Sequence, residues 1–334
     1  MAGRRKRLTL RDIADETGLS VAAVSYALRG IQVPEETQVR VREAADRLGY
    51  EADPIARALA SGRTDTVGVL CGSLEDNWQQ SVAAALGRAL LEAGLTSAIV
   101  DAVNDPLTEV TMTKRLVDQH VDAIITLPLD PRSPHWVEAA RDVPIVAVGD
   151  GLPGAATAAE VVFDNTAGVT DGLTRLADAG HTRVALLTPG GVETPDRPAE
   201  AVVRKLAPTL GVYADFLTTP HDLEAASQVV QEVLASEDPP TAFLCLSDSI
   251  AYGVYAAAAE LGRTIPDDLS VIGYDDRPVS RLLSPPLSTY RWPMAELVAT
   301  VVKVTTKAIA GKHSRRKVLP PTPQPRASVG PPPR

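Results

Sequence analysis

The chain has 334 residues, 45% hydrophobic and 22% charged, which is enough to bury two or three cores and excludes a disordered protein. Its formal net charge of -9 excludes a uniformly basic nucleic-acid binder. The charge is unevenly spread, however: residues 1–63 hold 11 bases against 9 acids, and the remainder holds 22 against 33. Arg4, Arg5, Lys6, Arg7 and Arg11 all precede the first acid, Asp12. A basic arm on an acidic body localises nucleic-acid contact to one end.

Thr9 to Gly30 reads as two short helices folded across a glycine turn. Thr9 with Asp12 three residues on is a capping-box start, and Leu10, Ile13 and Ala14 form one buried stripe. Thr17-Gly18-Leu19 breaks this helix. Ser20 then caps a second helix to about Leu28, in which Val24, Ala27 and Leu28 pack inward. Val21, Ala22, Ser25, Tyr26 and Arg29 are left on the outer face. Small residues at its start let its N-terminal end enter a major groove about 12 Å wide. A third helix opens at Pro34-Glu35-Glu36 and stops at Leu48-Gly49. The helical start at Asp53 leads to only about two turns, too few to persist without a partner.

The runs LTLRDIADETGLSVAAVSYALRG, VPEETQVRV, LGYEADPIARALASGRTDTVGV, FDNTAG, LSDSIAYG, LSVIGYDD and LSPPLSTYRWP resemble, in order, the LacI-type bacterial transcriptional regulators. The resemblance spans about residues 8–329 and is most specific over the first 63. It implies a homodimer that binds a pseudo-palindromic double-stranded DNA operator. It also makes 51–63 a hinge whose helix folds when two copies pair on DNA and whose Leu59 wedges into the minor groove; Ala56 is placed with Leu59 among the DNA contacts. Val21 and Ala22 fall at the leading recognition positions, so base reading rests on thymine methyl contacts with help from Tyr26, Arg29 and Gln32. Thr9, Ser20, Ser25 and Thr37 are assigned to phosphates.

From Thr66 onward, strand-like runs (TVGVLCG, SAIVDAV, VDAIITLP, PIVAVGD) alternate with helical segments, a rhythm that calls for a parallel sheet covered on both faces. A second series follows: VVFDN, RVALLTP, VYADFLTT, TAFLCLSD and LSVIGYDD. The expected class is α/β, an all-α head and hinge followed by a two-lobed periplasmic-binding-protein-like body. The expected domains are 1–50, the hinge 51–63, the body 64–327 and a loose tail 328–334. The resemblance implies three crossings between lobes, near 162, 290 and 320, so that lobe 1 takes about 64–161 plus 291–319 and lobe 2 about 162–290 plus 320–327.

Ligands of open α/β sheets bind beyond the carboxyl ends of the strands. The candidates there are Asn77, Trp78, Asp101, Arg197, Ser247, Asp248, Asp275 and Trp292. Carboxylates accept hydroxyl hydrogen bonds, an indole stacks on a sugar face, and a guanidinium forks onto vicinal oxygens. A small polar effector such as a sugar is therefore expected. The resemblance matches Arg197 and Asp275 to effector contacts. It also shows departures: Gly149 where an aspartate is usual, Ser247 for asparagine and Trp292 for glutamine. Asp248 also has a purely structural reading as a helix cap, as does Asp275 in a turn.

Cys71 and Cys245 each sit in an apolar run and read as buried thiols. The five histidines are scattered, and no GxSxG, P-loop, GxGxxG or metal-ligand spacing occurs. Neither enzyme nor cofactor is expected. No apolar run is long enough for a membrane span, so no membrane partner and a cytoplasmic, nucleoid-associated location are expected. A plain solute-binding protein is the alternative that the body alone would permit.

Overall fold

The computed structural model describes residues 8–50, 58, 62–189, 198–220 and 222–333. Ala56, Leu59 and Arg197 lie outside these residues, as does nearly all of the hinge. The chain divides into two compact units, Met1–Thr64 and Asp65–Arg334.

In the first unit, α1 (Leu10–Thr17) starts where the Asp12 carboxylate accepts from Thr9 N and Oγ1, both at 2.7 Å. It ends at Gly18, whose φ of 69° is a left-handed conformation that costs glycine nothing. α2 (Val21–Arg29) and α3 (Glu35–Leu48) pack with it in a helical head among the described residues. Its own small core is built on Ile13, Val24, Ala27, Val41 and Ala44, all fully buried.

In the second unit, six parallel strands form one sheet in the order β11-β5-β4-β3-β1-β2. These are β1 Thr66–Cys71, β2 Thr96–Asp101, β3 Ala123–Leu127, β4 Ile145–Gly149, β5 Ala159–Phe163 and β11 Lys317–Leu319. The helices α4 (Asn77–Glu92), α5 (Pro106–Asp118), α6 (His135–Asp142) and α11 (Met294–Ile309) cover it. Alternation along β1 serves both faces. Val67, Val69 and Cys71 enter the core that holds α4 and α11, and Leu70 enters the one under α5 and α6.

The second sheet is also parallel, in the order β7-β6-β8-β9: β6 Arg183–Thr188, β7 Tyr213–Thr218, β8 Ala242–Cys245 and β9 Ser270–Ile272. It carries α7 (Asn165–Asp178) and α8 (Ala199–Leu206) on one side, and α9 (Leu223–Leu234) and α10 (Asp248–Glu260) on the other. β10 (Thr289–Arg291) and β12 (Thr322–Gln324) form a separate antiparallel pair where the chain passes between the sheets. Cys71 and Cys245 are buried free thiols. Burial pushes Cys71 up to about 12 and Cys245 higher still.

Two sequence expectations are corrected. The run VVFDN, grouped with the second series, joins the first sheet: β5 pairs with β4 on one side and with the edge strand β11 on the other, and its Val161, Val162 and Phe163 are buried there. The expected loose tail from 328 is also wrong. Ser328 is fully buried, its Oγ accepting from Ser288 N at 2.8 Å and donating to Val271 O at 2.6 Å. Val271 N donates to Ser328 O, and Gly330 N to Ser270 Oγ. His181 Nε2 donates to Gly330 O at 3.0 Å, which leaves Nδ1 to accept from Thr241 Oγ1. The proline-rich composition hides this strap because backbone and hydroxyl groups make it without an apolar stripe. Truncation after Ala327 strands several of these buried groups and should cost at least about 2 kcal/mol. Urea unfolding of full-length and truncated protein measures that loss.

Candidate nucleic-acid interface and effector cleft

The head presents the start of α2. Ser20 caps it by accepting from Ala23 N at 3.2 Å, which settles where the helix begins. Val21, 43% exposed, and Ala22 then stand outward, while Val24 and Ala27 hold the opposite face in the core. Ser25 and Tyr26 are half-buried on the next turn. Arg29 is folded back, its Nε on Ser25 O and its guanidinium 5.2 Å from the centre of the Tyr26 ring. Gln32 is exposed with φ 59°, and Thr37 is half-buried in the first turn of α3. Thr9 is exposed beside its Asp12 partner. A hydroxyl-capped helix end with small residues leading is a surface that can enter a groove, with its free N–H groups and positive dipole end toward phosphates.

In the body, Trp78, Asp275, Arg277, Arg291, Trp292 and Glu296 line a cavity of about 600 Å³. The strand ends β5 and β10 bring Phe163 and Trp292 into a stack with centroids 4.3 Å apart; Trp78 meets Phe163 edge-on at 5.2 Å. Tyr274 continues the ladder against Trp292 and Tyr290. The buried Trp78 indole N–H has no hydrogen-bond partner among the described residues. An unmet buried donor costs free energy that a ligand oxygen would recover.

Asp248 opens α10 and is fully buried. Its carboxylate accepts from Ser280 Oγ at 2.5 Å, Thr289 Oγ1 at 2.6 Å and Arg277 N at 2.8 Å. Gly273 makes this possible, since a Cβ there would collide with Asp248 Oδ1. Burial pushes the Asp248 carboxyl up to about 6, against those bonds. Asp275 is held at φ 106°, a strained conformation for a non-glycine residue. Burial drives its pKa well above the usual range, neighbouring Asp248 and Asp76 add to this, and Arg277 and the Trp292 indole oppose it.

Asp276 has the opposite fate. Its side chain is wholly buried, and Arg291 (Nε, 2.6 Å), Arg281 (3.0 Å) and Arg326 close on it. Burial pushes its carboxyl up, but the three guanidinium groups outweigh this and hold it below the usual range.

Thus the cavity gathers Trp78, Asp275 and Trp292 of the sequence candidates. Asn77 opens α4 with an exposed side chain. Asp101 is spent on local structure, accepting from Leu74 N and Val103 N. Ser247 caps α10 by accepting from Ser249 N. Sequence reading missed Arg277 and Glu296, which lie outside the quoted runs, and Arg291, which lies within LSPPLSTYRWP. Asp150, at the end of β4 beside Gly149, is fully buried and is not among the residues that line the cavity. Among the described residues no cluster of His, Cys, Asp or Glu could hold a metal, and no helix is long and apolar enough to cross a membrane.

A helical head offering a recognition helix, followed by a body of two parallel α/β sheets with a cavity between them, defines a DNA-binding regulator with a periplasmic-binding-protein-like sensor. Residues 9–53 match the model for bacterial regulatory proteins of the lacI family, and 173–329 the periplasmic binding protein-like domain. The HTH-type transcriptional regulator MalR of Streptomyces coelicolor is 32% identical over 315 residues, covering 90% of each chain. The ribose operon repressor of Haemophilus influenzae is 28% identical, covering 93% of this chain and 95% of its own. The fold matches a lac repressor dimer bound to operator and an anti-inducer, with TM-score 0.84 at 24% identity, over 97% of this chain and 100% of that one. The chain belongs to the lacI family and is a DNA-binding transcriptional regulator; its relatives are regulators, not enzymes.

Proposed function

We propose that the protein represses transcription as a homodimer on a near-palindromic operator and that a small polar effector, a sugar or related metabolite, binds between its lobes. The observation that carries the effector half is the cavity itself. Two indoles supply flat apolar faces, and the buried Trp78 N–H lacks an acceptor that a sugar hydroxyl would provide. Dimerisation is supported by apolar side chains left in solvent around the edge strand β2: Leu91, Ile99, Val103 and Leu107. An unprotected edge flanked by such residues is a surface that association would cover. Arg197 keeps its proposed role as an effector contact, and Leu59 and Ala56 keep theirs as DNA contacts, Leu59 in the minor groove.

In this mechanism the effector acts by its different affinity for two lobe arrangements, and operator affinity changes by no more than that difference. Selecting operators from random duplexes and then screening metabolites for release tests the reading. The selected site should show two inverted half-sites. Its affinity should fall by about 0.9 log unit per log unit of salt for each phosphate neutralised. A flat salt response, or a selected site without symmetry, would refute it.

A further inference from the structure

Arg277 follows β9 at the mouth of the cavity, on the second-sheet side. Its Nη1 reaches α4, on the first-sheet side, and donates to Asn77 O at 2.7 Å and Ser81 Oγ at 3.0 Å. Its own backbone N–H is simultaneously anchored on the buried Asp248 carboxylate at 2.8 Å. The residue is therefore pinned at its base in one lobe and bonded at its tip to the other. Nearby polar groups on the second side are already committed: Asp248 to Ser280 and Thr289, and Asp276 to its three arginines. Both acceptors of the guanidinium are neutral, so the bond carries the full charge-assisted strength on the donor side only.

We propose that Arg277 is a built-in tether that holds the two lobes together without any small molecule, so that an effector must displace it or build upon it. This deepens the reading of the cavity as an effector site and rests on it. In a two-state lobe equilibrium such a tether shifts the resting population toward closure. An effector that competes for the Asn77 carbonyl oxygen at the start of α4 then favours opening, and one that leaves the bond intact adds to closure.

The test measures the distance between lobes in the full-length protein. Spin labels on Lys114→Cys and Glu237→Cys are read by pulsed electron paramagnetic resonance, with unlabelled protein in excess so that each dimer holds one labelled chain. Both positions are exposed, while the native Cys71 and Cys245 are buried. Without metabolite, the unsubstituted tether should give one short distance. Arg277→Ala should raise the open-to-closed ratio about tenfold or more, the scale of a lost hydrogen bond to a charged group. Ser81→Ala, which removes one of the two acceptors, should raise it by less.

Circular dichroism establishes that each variant is folded, and Ser81→Ala carries the test if Arg277→Ala does not fold. Unchanged distance distributions in the folded variants overturn the tether. Because the distance is read without DNA or metabolite, failure of the tether is distinct from failure of the effector reading, which would appear as no metabolite binding to either form.

Discussion

Removal of residues 1–63 is expected to abolish sequence-specific DNA binding while leaving a folded body. The head carries its own core around Ile13, Val24 and Val41, and the body's cores are built wholly from residues beyond Asp65. Neither unit's core therefore loses a side chain when the other is removed. The outward positions Val21 and Ala22 go with the head, as do 11 of the 33 bases. What remains holds 22 bases against 33 acids, a charge that repels phosphates. Loss of the specific over the non-specific affinity is a factor of about a thousand or more. Gel-shift or fluorescence-anisotropy titration with the selected operator measures it. Calorimetry of the truncated chain should still give a cooperative transition. Retained sequence preference in that chain would place the reading surface elsewhere.

The second large effect is on stability. Asp276→Ala leaves the guanidinium groups of Arg281, Arg291 and Arg326 facing one another around an emptied centre. Breaking a buried pair by removing one partner costs about 3 to 5 kcal/mol, and the lower end applies here because Arg281 and Arg291 are half-exposed and retain water. The three arginines come from the turn after Pro278, from β10 and from the C-terminal strap, so all three segments loosen together. Hydrogen exchange should rise at each of them, and the melting temperature should drop by several degrees.

The same residue sets an acid limb. Its folded pKa lies below the unfolded value of about 3.9, so its contribution is complete above that pH and is lost as pH falls through the folded value. Asp248 runs the other way. With a folded pKa of about 6, it makes stability decline as pH rises from about 4 to about 6. Urea unfolding across pH 3 to 7 should resolve both slopes, and Asp276→Asn should remove only the first.

Much of this was legible before any coordinates. Thr9 and Asp12, Ser20, and Gly18 announce the ends of two helices by chemistry that acts within four residues, and they sit where they were read. The long alternation of apolar runs and helices likewise announced a parallel α/β body. The cleft was less legible. Trp78, Asp275 and Trp292 line one cavity, whereas Asp101 and Ser247 satisfy nearby backbone N–H groups instead. A polar residue after a strand can cap a helix or face a ligand, and both uses demand the same side chain.

By itself, then, the order of amino acids determined the helix limits, the hydrophobic faces and the division into head and body, because capping, periodicity and glycine stops are settled by neighbours in sequence. Only the tertiary structure decided that VVF joins the first sheet, that Ser328 and Gly330 lace the tail to β9, that Asp276 gathers three arginines, and that Arg277 spans the cleft to Asn77. These partners stand between 5 and 200 positions apart along the chain. Which distant groups meet is settled by how whole sheets and helices pack, and no local pattern of residues encodes it.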